Sequence, residues 1–435
     1  MPSSRPQILM LVHRVPYPPN RGDRIRSYHM LRFLAERADV WLATLADEPL
    51  AAGTQAALTG LCREVAIEPL GRDRWLRGAL SLIRGRSATE GLFACPSLRR
   101  AIARWRQAVR WDAVLAFCSS MLPYADLPAL RDLPLVVDLV DVDSQKFFDY
   151  AAFSRGPRRW LCALEGRRLR RLERTLPRRA EAILLVSEAE AALYRRFCPN
   201  DRTHVVPNGV DLDYFQPASD GPHPWKPLPA ADRTNLVFVG ALDYHANVDG
   251  VCWFVRAIWP QVRQALPQLT LGLVGRKPVP AVQKLAQVDG VRVFADVPDV
   301  RPHLAAADLA IAPLRIARGV QNKVLEALAM AKPVIASPQA SEGLAAASIG
   351  ALVVAHSPAE WAAQVGRWIA DPAERAARGR AGRDFVLAEH AWPVALARLV
   401  PLLRLPEPAA AQAPPQHEPC TRHSGQAPAP LATSF

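Results

Sequence analysis

Arg315-Ile-Ala-Arg318-Gly319-Val-Gln-Asn322-Lys323-Val-Leu-Glu326-Ala-Leu-Ala-Met330-Ala-Lys332-Pro333-Val-Ile-Ala-Ser337 reads as loop, helix, turn and strand. The apolar run before it, 309–313, has the length and continuity of a buried parallel strand. Gly319 permits a tight backbone turn, and Asn322 is placed to cap the helix that follows. A helix that starts there turns unpaired N–H groups and the positive end of its dipole toward the opening. Arg318 and Lys323 add cationic charge, so the turn as a whole suits a diphosphate. Glu326 stands one turn farther in, where a carboxylate can accept hydrogen bonds from both hydroxyls of a ribose. The pattern points to a bound nucleotide. Taken alone, it is equally an ordinary capped helix whose Lys323 and Glu326 pair at the surface.

Working outward, 435 residues, 50% of them hydrophobic, are enough for two domains with separate cores. The formal charge of +13 is mainly arginine, an excess that suits nucleic acid, anionic lipid or phosphate-bearing substrates. Nucleic-acid binding is set aside, because no recognised motif or aromatic platform accompanies the charge. The seven cysteines, Cys62, Cys95, Cys118, Cys162, Cys198, Cys252 and Cys420, are scattered and show no zinc or redox spacing, as in a protein with reduced thiols. No run approaches the ~20 apolar residues of a membrane span. The short run 7–12, soon followed by Arg14, suits a first core strand better than a signal peptide. The expectation is a soluble cytoplasmic protein, able to work at the inner face of the cell membrane.

Along the chain, strands are expected at 8–12, 40–46, 64–69, 113–118, 135–140, 181–186 and 203–206, and again at 235–240, 269–274, 291–294 and 352–354. Helical spacing separates them at 27–36, 101–109, 189–197 and 357–369, and this alternation predicts parallel α/β sheets. The first crossover, His13-Arg14-Val-Pro16-Tyr-Pro18-Pro19-Asn20-Arg21-Gly22-Asp23-Arg24, is a glycine-bearing loop at a strand's carboxyl end and a natural cleft wall. Asp138, Asp141 and Asp143 gather near the end of the 135–140 strand. Such carboxylates can act on a sugar hydroxyl or steady a cationic transition state, hold Mg²⁺, or, at Asp143 or Ser144, merely cap the next helix.

The stretch 155–179 is the most basic, with Leu161, Leu164, Leu169 and Leu172 at helical intervals and Trp160 at one end. It reads either as a packed helix with a solvated outer side or as a contact for anionic membrane. Asn208-Gly209 supplies a turn, followed by a Pro-rich stretch at 213–229 that reads as a linker. From Pro406 the chain is rich in Pro, Ala and Gln and reads as a disordered tail.

Several of these segments resemble the retaining glycosyltransferases of the GT4 type, over about residues 7–400 and most strongly in the second half. Asn322-Lys323-Val-Leu-Glu326-Ala-Leu-Ala-Met-Ala-Lys-Pro333-Val-Ile-Ala resembles their donor-site helix, whose second glutamate, here Glu326, holds the ribose. The family's first glutamate would stand at Arg318. Val205-Val-Pro-Asn208-Gly209-Val-Asp211 resembles the segment at the hinge between their domains, and 181–188 the strand that delivers a serine near the cleft. In the family the 135–140 strand end often carries a histidine; here Asp141 or Asp143 takes that place, and these two are the catalytic candidates. The family's arginine and lysine after the 235–240 strand are also missing from Ala241-Leu-Asp243-Tyr244-His245-Ala-Asn247, so Lys323, with Arg276 or Arg318, would supply the charge.

The resemblance implies the GT-B fold: two facing Rossmann-like domains with parallel sheets and a cleft between them. Residues 1–206 would bind the acceptor, 207–230 form hinge and linker, 231–385 bind the nucleotide-sugar, 386–405 pack back on the first domain, and 406–435 form the tail. Donor-binding candidates are Gly22, Arg276, Arg318, Gly319, Asn322, Lys323 and Glu326, with no metal or other cofactor required. The implied function is transfer of a sugar, with retention, from a nucleotide-sugar to a saccharide or lipid-linked acceptor. The closest group is the sugar transferases of exopolysaccharide loci, which points to exopolysaccharide or cell-surface glycan synthesis. The competing class is a GT-B nucleotide-binding or assembly module without turnover.

Overall fold

The computed structural model describes residues 5–217, 234–317, 319–344 and 350–407. Arg318, most of the linker at 213–229 and nearly all of the tail therefore lie outside the described residues.

Two parallel sheets form the frame. The first has seven strands, β1 (Gln7–Val12), β2 (Asp39–Ala46), β3 (Glu64–Pro69), β4 (Ala113–Phe117), β5 (Leu135–Val140), β6 (Ala182–Leu185) and β7 (Thr203–Val205), in the order β3-β2-β1-β4-β5-β6-β7. The second has six, β8 (Thr234–Val239), β9 (Leu269–Gly275), β10 (Val291–Ala295), β11 (Leu309–Ala312), β12 (Val334–Ala336) and β13 (Leu352–Val354), in the order β10-β9-β8-β11-β12-β13. Helices cover both faces, which is why the central strands are apolar without alternation. Ile8 to Val12 is wholly buried, pairing with β2 on one side and β4 on the other. Each sheet reverses its winding once, between β1 and β4 and between β8 and β11, and ligand crevices open at the carboxyl ends of such reversals.

The end of the chain crosses between the domains. The helix Pro372–Glu389 lies on the second, where Gly382 comes close to Leu328 and Gly379 to the Ala331 carbonyl. The helix then stops at His390, and Pro393 starts a new one, Trp392–Leu396. Trp392 stacks on His29 of the first domain at 4.7 Å between ring centroids, and Leu396, Leu399 and Leu403 join the core beside Ile8 and Met10.

The basic stretch 155–179 is largely a packed helix, Gly156–Glu173, one of the two readings its sequence allows. Leu169 is buried; Arg168 donates to the Arg86 carbonyl at 2.6 Å, and Arg170 donates to Ser144 at 2.7 Å and stacks over Phe197. Arg168 and Arg170 thus serve protein groups, while Arg158, Arg159, Arg167 and Arg171 stay exposed.

Candidate active site

The helix Gly22–Ala35 begins earlier than the spacing of its apolar residues predicts, so Gly22 is its first residue and not part of the loop. A Cβ at Gly22 would meet nothing within 4 Å, so the position opens onto free space. Four residues on, Arg26 is buried and pairs with Asp138 at 2.7 Å, itself fully buried in β5. The same guanidinium donates to the carbonyls of Val206 (2.9 Å) and Pro207 (3.1 Å) and to Asn208 Oδ1 (2.9 Å). Asn208 Nδ2 in turn donates to Asn322 Oδ1 at 3.0 Å. Asn322 is therefore no cap: Gln321 holds that position, and Asn322, first residue of the helix Asn322–Ala329, spends its side chain on the hinge.

The three carboxylates of the 135–143 region diverge instead of clustering. Asp138 is taken by Arg26. Asp143 opens the helix Asp143–Phe153 and accepts a short hydrogen bond from the Ser119 hydroxyl. Asp141 is aimed differently, because its N–H donates to the Leu139 carbonyl at 2.9 Å, closing a turn around Val140 at φ 68°. A β-branched residue in that region is strained, and strain of this kind concentrates at functional sites. Burial, reinforced by Glu190 and partly offset by Lys146, pushes the Asp141 carboxyl up to about 6.

Gly319 faces it from the second domain. Its φ is 62°, and a Cβ there would stand 2.8 Å from Asp141 Oδ1 and 2.9 Å from Val186. Glycine thus serves twice, for the left-handed turn and for the approach of the two domains. Gly319→Ala is expected to cost about 1 kcal/mol in backbone strain and to hold the cleft ajar. The transfer rate should then fall more than nucleotide affinity, which steady-state kinetics beside calorimetry would resolve.

Behind Gly319, the Lys323 ammonium donates to Asn247 Oδ1 at 2.9 Å and lies 5.5 Å over the Phe238 ring. Asn247 is oriented by its own bond to the Ala241 carbonyl, 2.8 Å. No carboxylate pairs with Lys323 among the described residues. Burial lowers Lys323 to about 8 and raises Glu326 to about 7, while each charge partly steadies the other. Glu326 accepts no hydrogen bond among the described residues. Two half-buried ionisable side chains without strong partners are a costly arrangement that a ligand would relieve. Arg276 is half-buried at the end of β9, beside the loop after β8, and its carbonyl accepts from the Leu242 N–H. From that loop Tyr244 reaches the field of Lys146, Tyr150 and Asp141 across the cleft.

The structure brings Asp141 against Gly319, and Lys323 and Glu326 into each other's field on the helix that follows. Sequence reasoning missed Asn247, which locks Lys323, and Arg26, which looked like one more arginine on a helix. Asn247 stood in a loop already marked as facing the cleft; for Arg26 no local signal exists.

Residues 25–214 match the model of "Glycosyltransferase Family 4", and residues 233–371 that of "Glycosyl transferases group 1". Each of the two domains thus matches a glycosyltransferase family model. Two curated relatives come from Mycolicibacterium smegmatis. One, a GDP-mannose-dependent alpha-(1-6)-phosphatidylinositol monomannoside mannosyltransferase, is 30% identical over 48% of this chain and 57% of its own length. The other, an alpha-maltose-1-phosphate synthase, is 29% identical over 51% of this chain and 62% of its own. The match thus spans somewhat over half the length of these curated relatives. Among solved structures, a sucrose-phosphate synthase from Thermosynechococcus elongatus has a TM-score of 0.68 at 18% identity, covering 92% of this chain and 98% of that one. HepE from Anabaena, solved with UDP-glucose, has a TM-score of 0.60 at 16% identity, covering 92% and 99%. These likenesses identify the fold as GT-B. No described helix is long and apolar enough to cross a membrane.

Proposed function

We propose that the protein transfers a sugar, with retention of anomeric configuration, from a nucleoside diphosphate donor to a saccharide or lipid-linked saccharide. The product would serve exopolysaccharide or other cell-surface glycan synthesis. The observation that carries the reading is the Lys323 and Glu326 set: two half-buried ionisable groups on the helix that begins just past Gly319. The diphosphate would lie against that helix start, with its charge met by the N–H groups, Lys323 and Arg276. Glu326 would accept from the ribose hydroxyls. No metal is invoked for the leaving diphosphate, since Asp138, Asp141 and Asp143 point to three different places.

Asp141 would face the sugar from the acceptor wall. A carboxyl held near 6 is ionised in most molecules at neutral pH and could steady cationic character at the anomeric carbon, or exchange a proton with the acceptor hydroxyl. Closure of the domains about Asn208 would exclude water, which otherwise hydrolyses a bound donor.

A pH profile tests the site. Glu326 gains its charge as pH rises through about 7, and Lys323 loses its charge as pH rises through about 8. Both are charged only in the window between, so affinity for a nucleoside diphosphate should be bell-shaped with its maximum there. Calorimetry with UDP, GDP and ADP across that range would identify the base at the same time. If none of the three bound at any pH, the transferase reading would give way to a module without turnover.

A further inference from the structure

The helix Arg74–Ile83 carries its large apolar side chains outward. Trp75 is 67% and Ile83 81% exposed, with Leu76 and Leu80 between them on the same face. The opposite face is held to the helix Ala88–Leu92 through glycines. A Cβ on Gly78 would meet Leu92 at 3.0 Å, and one on Gly91 would meet the Arg77 carbonyl at 2.3 Å. A surface helix ordinarily buries its apolar stripe; here small residues make the protein contact and the stripe is left over.

A second exposed group adjoins it: Phe153, Trp160 and Leu161 at the start of the helix Gly156–Glu173. Leu161 precedes Glu165 by four residues and Arg168 by seven, so the three share one face. Glu165 accepts from the Ala88 N–H at 2.6 Å, and Arg168 donates to the Arg86 carbonyl at 2.6 Å, which places that face against the end of the Arg74–Ile83 helix. Around both groups stand Arg72, Arg84, Arg155, Arg158 and Arg159. They are exposed and have no side-chain hydrogen bond or carboxylate partner among the described residues.

We propose that this surface docks the protein on an anionic lipid bilayer. Trp75, Leu76, Leu80 and Ile83 would lie in the boundary between headgroups and acyl chains, with the arginines on lipid phosphates. The five unpaired arginines of the patch would repel a second copy of the same face, whereas an anionic surface complements them. The location also fits the cleft. The helix Asp143–Phe153 starts at the cleft wall and ends on the patch, a run of 11 residues or ~16 Å, so an acceptor carried by a lipid would be presented from the membrane side. Docking itself needs no transfer, so it stands or falls apart from the proposed reaction.

Cosedimentation of the purified full chain with phosphatidylcholine vesicles, with and without phosphatidylglycerol, tests it. Binding is expected only to the anionic vesicles. It should weaken by about tenfold or more in Trp75→Ala/Ile83→Ala, in proportion to the apolar area lost, and should fall separately in Arg84→Glu/Arg158→Glu and at high salt. All four positions are exposed, and unchanged thermal melting would confirm that each variant folds. Absence of binding by the parent, or equal binding by Trp75→Ala/Ile83→Ala, overturns the proposal. A dimer of the parent in solution that the same pair of changes dissociates would overturn it in favour of self-association.

Discussion

Replacing Arg26 by Met is expected to destabilise the protein by about 3–5 kcal/mol, the cost of stranding a buried carboxylate. Asp138 is fully buried and accepts from the guanidinium at 2.7 Å, so only the Val140 N–H, at 3.0 Å, still reaches it once Arg26 is gone. The loss extends further, because the carbonyls of Val206 and Pro207 and the side chain of Asn208 lose the same donor. Urea denaturation would show the midpoint fall. Adding Asp138→Val to Arg26→Met should recover part of the loss by removing the stranded charge; a double variant no better than the single would mean that the hinge contacts dominate. In whatever folded fraction survives, nucleotide affinity should also drop, since Asn208 is the link from Arg26 to Asn322 at the start of the donor-side helix.

Lys323→Ala is expected to lower kcat by roughly 10²–10³-fold, the usual effect of deleting one preorganised electrostatic partner of a developing anion. Glu326→Ala is expected to act on binding instead. Hydrogen bonds to a charged acceptor contribute about 1.5–3 kcal/mol, so nucleoside diphosphate affinity should fall by roughly 10–100-fold. Glu326→Gln, which keeps the shape and loses the charge, should fall between the two and abolish the acid limb of the pH profile. Calorimetry paired with initial rates separates these effects. Unchanged affinity for every nucleotide in Glu326→Ala would remove the ribose assignment, and an unchanged rate in Lys323→Ala would remove the diphosphate assignment.

The relation of the proposed membrane surface to the site is geometric. The strained turn at Val140 directs Asp141 into the cleft, and the helix beginning two residues later ends at Phe153 on the exposed patch. A lipid-borne acceptor would thus meet the donor without the protein leaving the bilayer. The curated mannosyltransferase relative acts on a phosphatidylinositol mannoside by its name, whereas here the lipid contact is inferred from exposed side chains of this chain alone.

The local rules proved sufficient for the sheets. Continuous apolar runs such as 8–12 and 309–312 can be buried only between helices, and the alternation with helical spacing leaves parallel pairing as the outcome. The helix Asn322–Ala329 was legible for the same reason, since Gly319, Lys323 and Glu326 lie within a few residues of one another. Tertiary structure decided the rest, because it depends on residues far apart in the chain. Arg26 meets Asp138 and Asn208 across more than a hundred positions, so no spacing rule could separate it from the other arginines. The three aspartates looked like one cluster until a turn at Val140 and two distant donors, Arg26 and Ser119, sent them in different directions. The basic stretch at 155–179 allowed both a packed helix and a lipid contact; Arg168 and Arg170 bind protein, and the longer apolar face turned outward belongs to Arg74–Ile83. Hydrophobic spacing along a helix reports that one side is apolar; only the packing of its neighbours, here by Gly78 and Gly91, determines which side is left to the solvent.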